Sequence, residues 1–177
     1  MSYLEERLAK YHITDKDNTM KVAAEDPGHF VDFQFFTEQP VKDKEGKVIG
    51  ADIVINYLTP AGEVEYYNHG NSQTRRFSRI RKANPGDVPK YVQAKGTEMI
   101  PFSTPAIIDA YKKRKELKTL YVVEGEFKAF SLSMMKQPTI GIGGIHNFKS
   151  ADKTKMHPYI IDVIQTCKVQ NVVLIFD

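Results

Sequence analysis

The chain has 177 residues, 41% hydrophobic and 27% charged, with 25 Lys+Arg against 22 Asp+Glu. That length and composition suit one large domain or two small ones with a real core, and they exclude a disordered chain. No apolar run approaches about 18 residues, the amino terminus lacks a signal-type apolar stretch, and the lone cysteine, Cys167, excludes a disulfide framework and a Cys-rich zinc ribbon.

A soluble, cytoplasmic protein is therefore expected. Residues 3–11 (YLEERLAKY) put Leu4, Leu8 and Tyr11 on one side of a short amphipathic helix. From about 30 to 100 the pattern becomes one of strands and turns. FVDFQFF (30–36) alternates as a half-buried strand does. ADIVINYL (51–58) and EVEYYN (63–68) predict a hairpin across Pro60 and Gly62. TRRFSRIRK (74–82) predicts one strand with a cationic face, and KANPGDVPKY a loop. Ser103-Thr104-Pro105 starts a helix, with Ile107, Ile108 and Tyr111 as its apolar stripe. Residues 1–117 are expected to form a mainly antiparallel α+β module.

Residues 118–177 follow a different pattern. LYVV (120–123), TIGI (139–142) and VVLIF (172–176) read as strands buried on both faces. Phe127, Phe130 and Met134 share one helical stripe between them. Tyr159, Ile160, Val163, Ile164 and Cys167 share another, which makes Cys167 a core residue. Strand–helix–strand–helix–strand predicts a parallel α/β sheet.

Charge is unevenly spread. Residues 1–68 hold 7 basic and 13 acidic side chains, residues 69–118 hold 12 and 4, and residues 119–177 hold 6 and 5. Two clusters make the middle basic: Arg75, Arg76, Arg79, Arg81 and Lys82, then Lys112, Lys113, Arg114, Lys115 and Lys118. With Phe77, Tyr91 and Tyr111 among them, they fit single-stranded nucleic acid, whose phosphates want cations and whose unstacked bases want aromatic faces. The plainer reading of either cluster is a solvated face. The second also suits the negative end of a helix dipole.

In parallel α/β sheets ligands bind beyond the carboxyl ends of the strands. Glu124 stands directly after LYVV and Asp177 directly after VVLIF, and two such carboxylates on neighbouring strands can share a divalent cation. The five histidines show no ligand spacing, so no zinc is expected. Gly141-Ile142-Gly143-Gly144 reads either as a place where backbone approaches a phosphate or as a plain tight turn. Glu126 reads as a solvated first-turn residue or as an acid supporting Glu124.

The string YVVEGEFKAFSLSMMKQPTIGIGGIHNF, with NVVLIFD after it, resembles the TOPRIM domain of topoisomerases, primases and related nucleases. More narrowly it resembles the TOPRIM-like domain of uncharacterised primase-type proteins of phages and mobile genetic elements, with KYVQAKG (90–96) and MIPFSTP (99–105) fitting their upstream segment. The resemblance covers about 88 residues specifically and the first 85 residues of the chain only loosely. It implies a Rossmann-like TOPRIM domain over 118–177 and nucleotidyl transfer or phosphodiester chemistry in DNA replication. Glu124 would be general acid/base and ligand of Mg²⁺ (or Mn²⁺), Asp177 a second metal ligand, Lys128 a phosphate contact, and Gly143 and Gly144 the phosphate-binding turn. A replicative helicase would be a further partner, and no membrane is implied. The family's second Asp and fourth strand would follow residue 177, so the chain is expected to be a fragment, inactive alone. The alternative is a non-catalytic nucleic-acid- or helicase-binding module on a degenerate TOPRIM scaffold.

Overall fold

A computed structural model describes residues 1–24, 26–70 and 73–176. They form two compact units: Met1–Tyr57 with Glu65–Thr97, and Leu58–Val64 with Glu98–Asp177.

The first unit opens with α1 (Tyr3–Lys10). Ser2 Oγ accepts from the Glu5 amide at 3.2 Å, and the Ser2 amide donates to Glu5 Oε2 at 2.6 Å. This reciprocal pair satisfies two of the orphan donors at a helix start. The antiparallel pair β1 (Thr19–Ala23) and β2 (Phe30–Gln34) follows. Buried Asn18 joins this pair to the next strand: its amide donates to the Phe36 carbonyl (2.8 Å), and its Oδ1 accepts from the Phe36 amide (2.9 Å). Then come β3 (Phe36–Lys42), β4 (Val48–Asn56), β5 (Tyr66–His69), β6 (Gln73–Arg76), β7 (Ser78–Arg81) and β8 (Tyr91–Gln93). One antiparallel sheet has the order β3-β4-β7-β8, and β5-β6 is a separate two-stranded ribbon. α1 packs against β3 and β4, and the unit's core gathers Leu8, Phe36, Ile53, Ile55 and Phe77.

The antiparallel α+β character expected of this region holds, but three local expectations change. FVDFQFF is not one strand: it breaks at Phe35, with Phe35 and Phe36 buried and Phe30 and Val31 exposed. The partners of ADIVINYL are β3 and β7 rather than EVEYYN, with Ile53 and Ile55 buried opposite Glu38 and Phe36 on one side and Arg81 and Arg79 on the other. The expected hairpin at Pro60 and Gly62 survives as a short turn with the bridge Leu58↔Val64, in the second unit. TRRFSRIRK divides at Phe77, its two halves joining different sheets.

The second unit contains β9 (Phe102–Ser103), α2 (Pro105–Lys112), β10 (Thr119–Glu124), α3 (Glu126–Met134), β11 (Thr139–Ile142), α4 (Pro158–Thr166) and β12 (Asn171–Ile175). The sheet order is β12-β10-β11-β9, with β10 parallel to both neighbours and β9 antiparallel to β11. It is thus a mixed α/β sheet with a parallel centre. Leu120, Val122, Ile140 and Ile142 pack with Ile160, Val163 and Cys167. On the alternate positions Gly141 meets α3, where a Cβ would stand 3.1 Å from that of Ala129. α3 and α4 therefore lie on opposite faces, as right-handed crossovers to either side of β10 require.

Residues 98–117 belong here rather than with the first module, because Phe102 and Ser103 pair with Gly141 and Ile140. The α2 start was expected to be capped by a hydroxyl. Thr104 makes no cap bond, and Ser133 Oγ of α3 accepts from the Ala106 amide at 2.9 Å instead. VVLIF forms a strand as expected but is not buried. Val172 to Phe176 are 37–44% exposed, because β12 is an edge strand paired among the described residues only with β10.

Candidate functional site

Glu124 ends β10, from which the chain crosses to β11 on one side and then, from β11, back past β10 to β12 on the other. That reversal is the switch point at which open α/β sheets take ligands. Glu124 is half-buried and pairs in register with Ile142. The next residue, Gly125, turns the chain into α3 with φ +96°, a conformation that only glycine adopts without strain. Its amide donates to the Ile142 carbonyl at 2.8 Å. The Lys128 side chain folds back over this turn, its Cε 3.2 Å from where a Gly125 Cβ would stand. Glu124 thus stands one residue before the turn that Lys128 covers.

Glu126 differs from its expected solvated place. It is 1% exposed, a buried carboxylate in the first turn of α3, where the helix dipole favours negative charge. Its burial gave no sequence signal, since acids in first turns are ordinarily exposed. Gly141 is a strand residue made necessary by the close approach of Ala129 and Phe102. Gly143 and Gly144 follow β11 half-buried, and the Gly144 carbonyl accepts from the Asn147 amide at 2.9 Å. His146 is exposed.

Asp177, the second expected metal ligand, lies outside the described residues. Among the described residues no group of three or more His, Cys, Asp or Glu side chains converges on one point. Mg²⁺ commonly rests on one or two carboxylates, with water and substrate phosphate completing its octahedron. Glu124 is a donor of that kind. Cys167 is fully buried, and burial, followed by the charge of Asp162, raises its pKa, which keeps a core thiol unreactive. A cavity of about 330 Å³ reached by Asp109, Lys115 and Lys136 opens at the amino ends of β10 and β11, away from Glu124.

The basic residues do not form one surface. Arg75 and Arg76 are exposed on β6. Arg79 and Arg81 point into the first unit, 7% and 4% exposed. The Arg79 guanidinium lies 4.9 Å from the Tyr91 ring centre; that of Arg81 lies 5.2 Å from the ring of Tyr3 and 5.7 Å from that of Tyr91. Arg81 Nε donates to Tyr91 Oη at 3.1 Å. Lys82 binds buried Asp52 at 2.7 Å. These three, expected on a nucleic-acid face, are held by aromatic and acidic partners within the unit.

In the second cluster Lys112 folds over the Gly62 turn, and Lys113 pairs with Asp109 at 2.7 Å. Arg114 is exposed at φ +47°, beyond the helix end rather than in its last turn.

No helix among the described residues is long and apolar enough to cross a membrane. Compared with protein-family models, with curated proteins and with solved structures, the chain matches none.

Proposed function

We propose that the second unit is a TOPRIM-like scaffold for Mg²⁺-dependent nucleotidyl transfer or phosphodiester chemistry on single-stranded nucleic acid. The observation that carries the reading is the position of Glu124 at the switch point of a parallel sheet, beside Gly125 and Lys128. Glu124 would either hold the metal as a carboxylate or, when protonated, donate its proton to a leaving oxygen. Lys128 and the amino end of α3 would offset phosphate charge. A bound Mg²⁺ supplies Lewis-acid stabilisation of charge on the phosphate oxygens. Asp177 follows β12 in sequence and would be the second ligand.

The test is to incubate the chain with labelled single-stranded DNA, nucleoside triphosphates and Mg²⁺ or Mn²⁺, and to resolve products on a denaturing gel. Extension or cleavage that disappears in Glu124→Gln supports the reading. Activity that survives this substitution removes Glu124 from the chemistry. A chain that binds DNA, gives no product with either metal and gains no melting temperature from Mg²⁺ or Mn²⁺ that Glu124→Gln loses favours the non-catalytic binding module.

A further inference from the structure

The β5–β6 ribbon stands as a two-stranded pair of its own. A two-stranded hairpin is marginal in water by itself, and this pair bonds to no other strand among the described residues. None of its eight residues is buried. Its register places Tyr66 opposite Arg76 and Tyr67 opposite Arg75, so each face carries one tyrosine beside one arginine. Asn68 and Thr74 extend the first face, and His69 and Gln73 the second. Tyr66 is 41% exposed. No carboxylate occurs anywhere in residues 66–76. Among the described residues no ion pair engages Arg75 or Arg76; Arg75 Nη2 donates only to Gln73 Oε1, at 3.4 Å.

Tyr66 is exposed and Tyr67 half-buried, each ring beside an arginine of the facing strand. Pairing each with an unneutralised guanidinium suits a polyanion that also offers flat apolar groups. Single-stranded nucleic acid has both: a phosphate at every step and bases free to stack. We propose that the β5–β6 ribbon grips single-stranded nucleic acid, Arg75 and Arg76 contacting phosphates and Tyr66 and Tyr67 stacking on bases. The inference rests on the functional reading above for the class of partner, and it names the element that holds the strand.

Fluorescence anisotropy of the full chain in EDTA, with labelled oligothymidylate and an abasic strand of equal length across a salt series, tests it. Arg75→Ala/Arg76→Ala is expected to flatten the slope of log affinity against log salt by about 1.4, at about 0.7 for each phosphate contact. Arg75→Lys/Arg76→Lys restores the slope. Tyr66→Ala/Tyr67→Ala weakens oligothymidylate binding about thirtyfold or more and leaves the abasic strand unchanged. Circular dichroism establishes that each variant is folded. If wild type binds and every ribbon variant binds equally well, the ribbon is overturned while the nucleic-acid reading stands. If wild type fails to bind even at low salt, both fall. Tighter binding to duplex than to single strand overturns the choice of partner.

Discussion

Arg75 and Arg76 on one side of Phe77, and Arg79 and Arg81 on the other, come from a single basic run and reach opposite surroundings. The first two lie in solvent on the ribbon; the second two are enclosed among tyrosines. Phe77 divides them. It is buried, stands edge-on to Tyr57 with ring centres 5.0 Å apart, and its amide donates to the Glu65 carbonyl at 2.8 Å. The chain before this anchor pairs with β5, and the chain after it with β4 and β8. Opposite Ile53 and Ile55, the β7 positions facing the core are occupied by Arg81 and Arg79. What separates structural from available cations here is the strand phase after Phe77, not the density of charge.

The sharpest way to break this contrast is to truncate a buried arginine. Arg81→Ala removes both ring contacts and leaves a void, and is expected to destabilise the chain by about 2–4 kcal/mol, the range of large-to-small core substitutions. Arg81→Met is the informative companion. Arg81 Nη1 is buried without a hydrogen-bond partner among the described residues, so an apolar chain of similar length forfeits the ring attraction but removes an uncompensated N–H. Its loss should be less than half that of alanine. Urea-unfolding midpoints decide. An Arg81→Ala midpoint equal to that of wild type would show that β7 does not depend on its buried guanidinium.

A smaller effect is expected one residue further on. Lys82 neutralises Asp52, which also accepts from the Ala83 amide at 3.0 Å. Lys82→Ala leaves the carboxylate with that amide alone and should cost about 1–2 kcal/mol, a figure kept low because the lysine side chain is 31% exposed and partly screened. Adding Asp52→Asn should recover part of the loss. If the double variant is as unstable as the sum of the two single ones, the pair is not coupled and Lys82 is free for another role.

The contrast also explains what the sequence could and could not reveal. β10 and β11 were legible because LYVV and TIGI are apolar without interruption, and the α3 turn because Glu124-Gly125 stands at a strand's exit. Cys167 was legible from the apolar stripe it completes. Arg79 and Arg81 were not, because the residues that make burial tolerable, Tyr3 and Tyr91, lie on other elements, and alternation read by charge alone puts arginine outward. β12 erred in the other direction: an edge strand and a central one share one composition, and pairing partners decide between them. Glu126 was hidden for the same reason, since its burial comes from the tertiary setting of the α3 start.

The smallest expected effect is the most discriminating. Arg75→Ala/Arg76→Ala should change unfolding free energy by no more than about 0.5 kcal/mol, as surface substitutions usually do, because neither side chain is buried and neither is ion-paired among the described residues. The same variant should lose salt-dependent binding to a single strand. Stability unchanged with binding lost would separate the two halves of the run, the ribbon pair serving the partner and the β7 pair the fold. If the midpoint instead falls as far as it does for Arg81→Ala, the two halves of the run share one structural task, and Phe77 divides the sheets without dividing their roles.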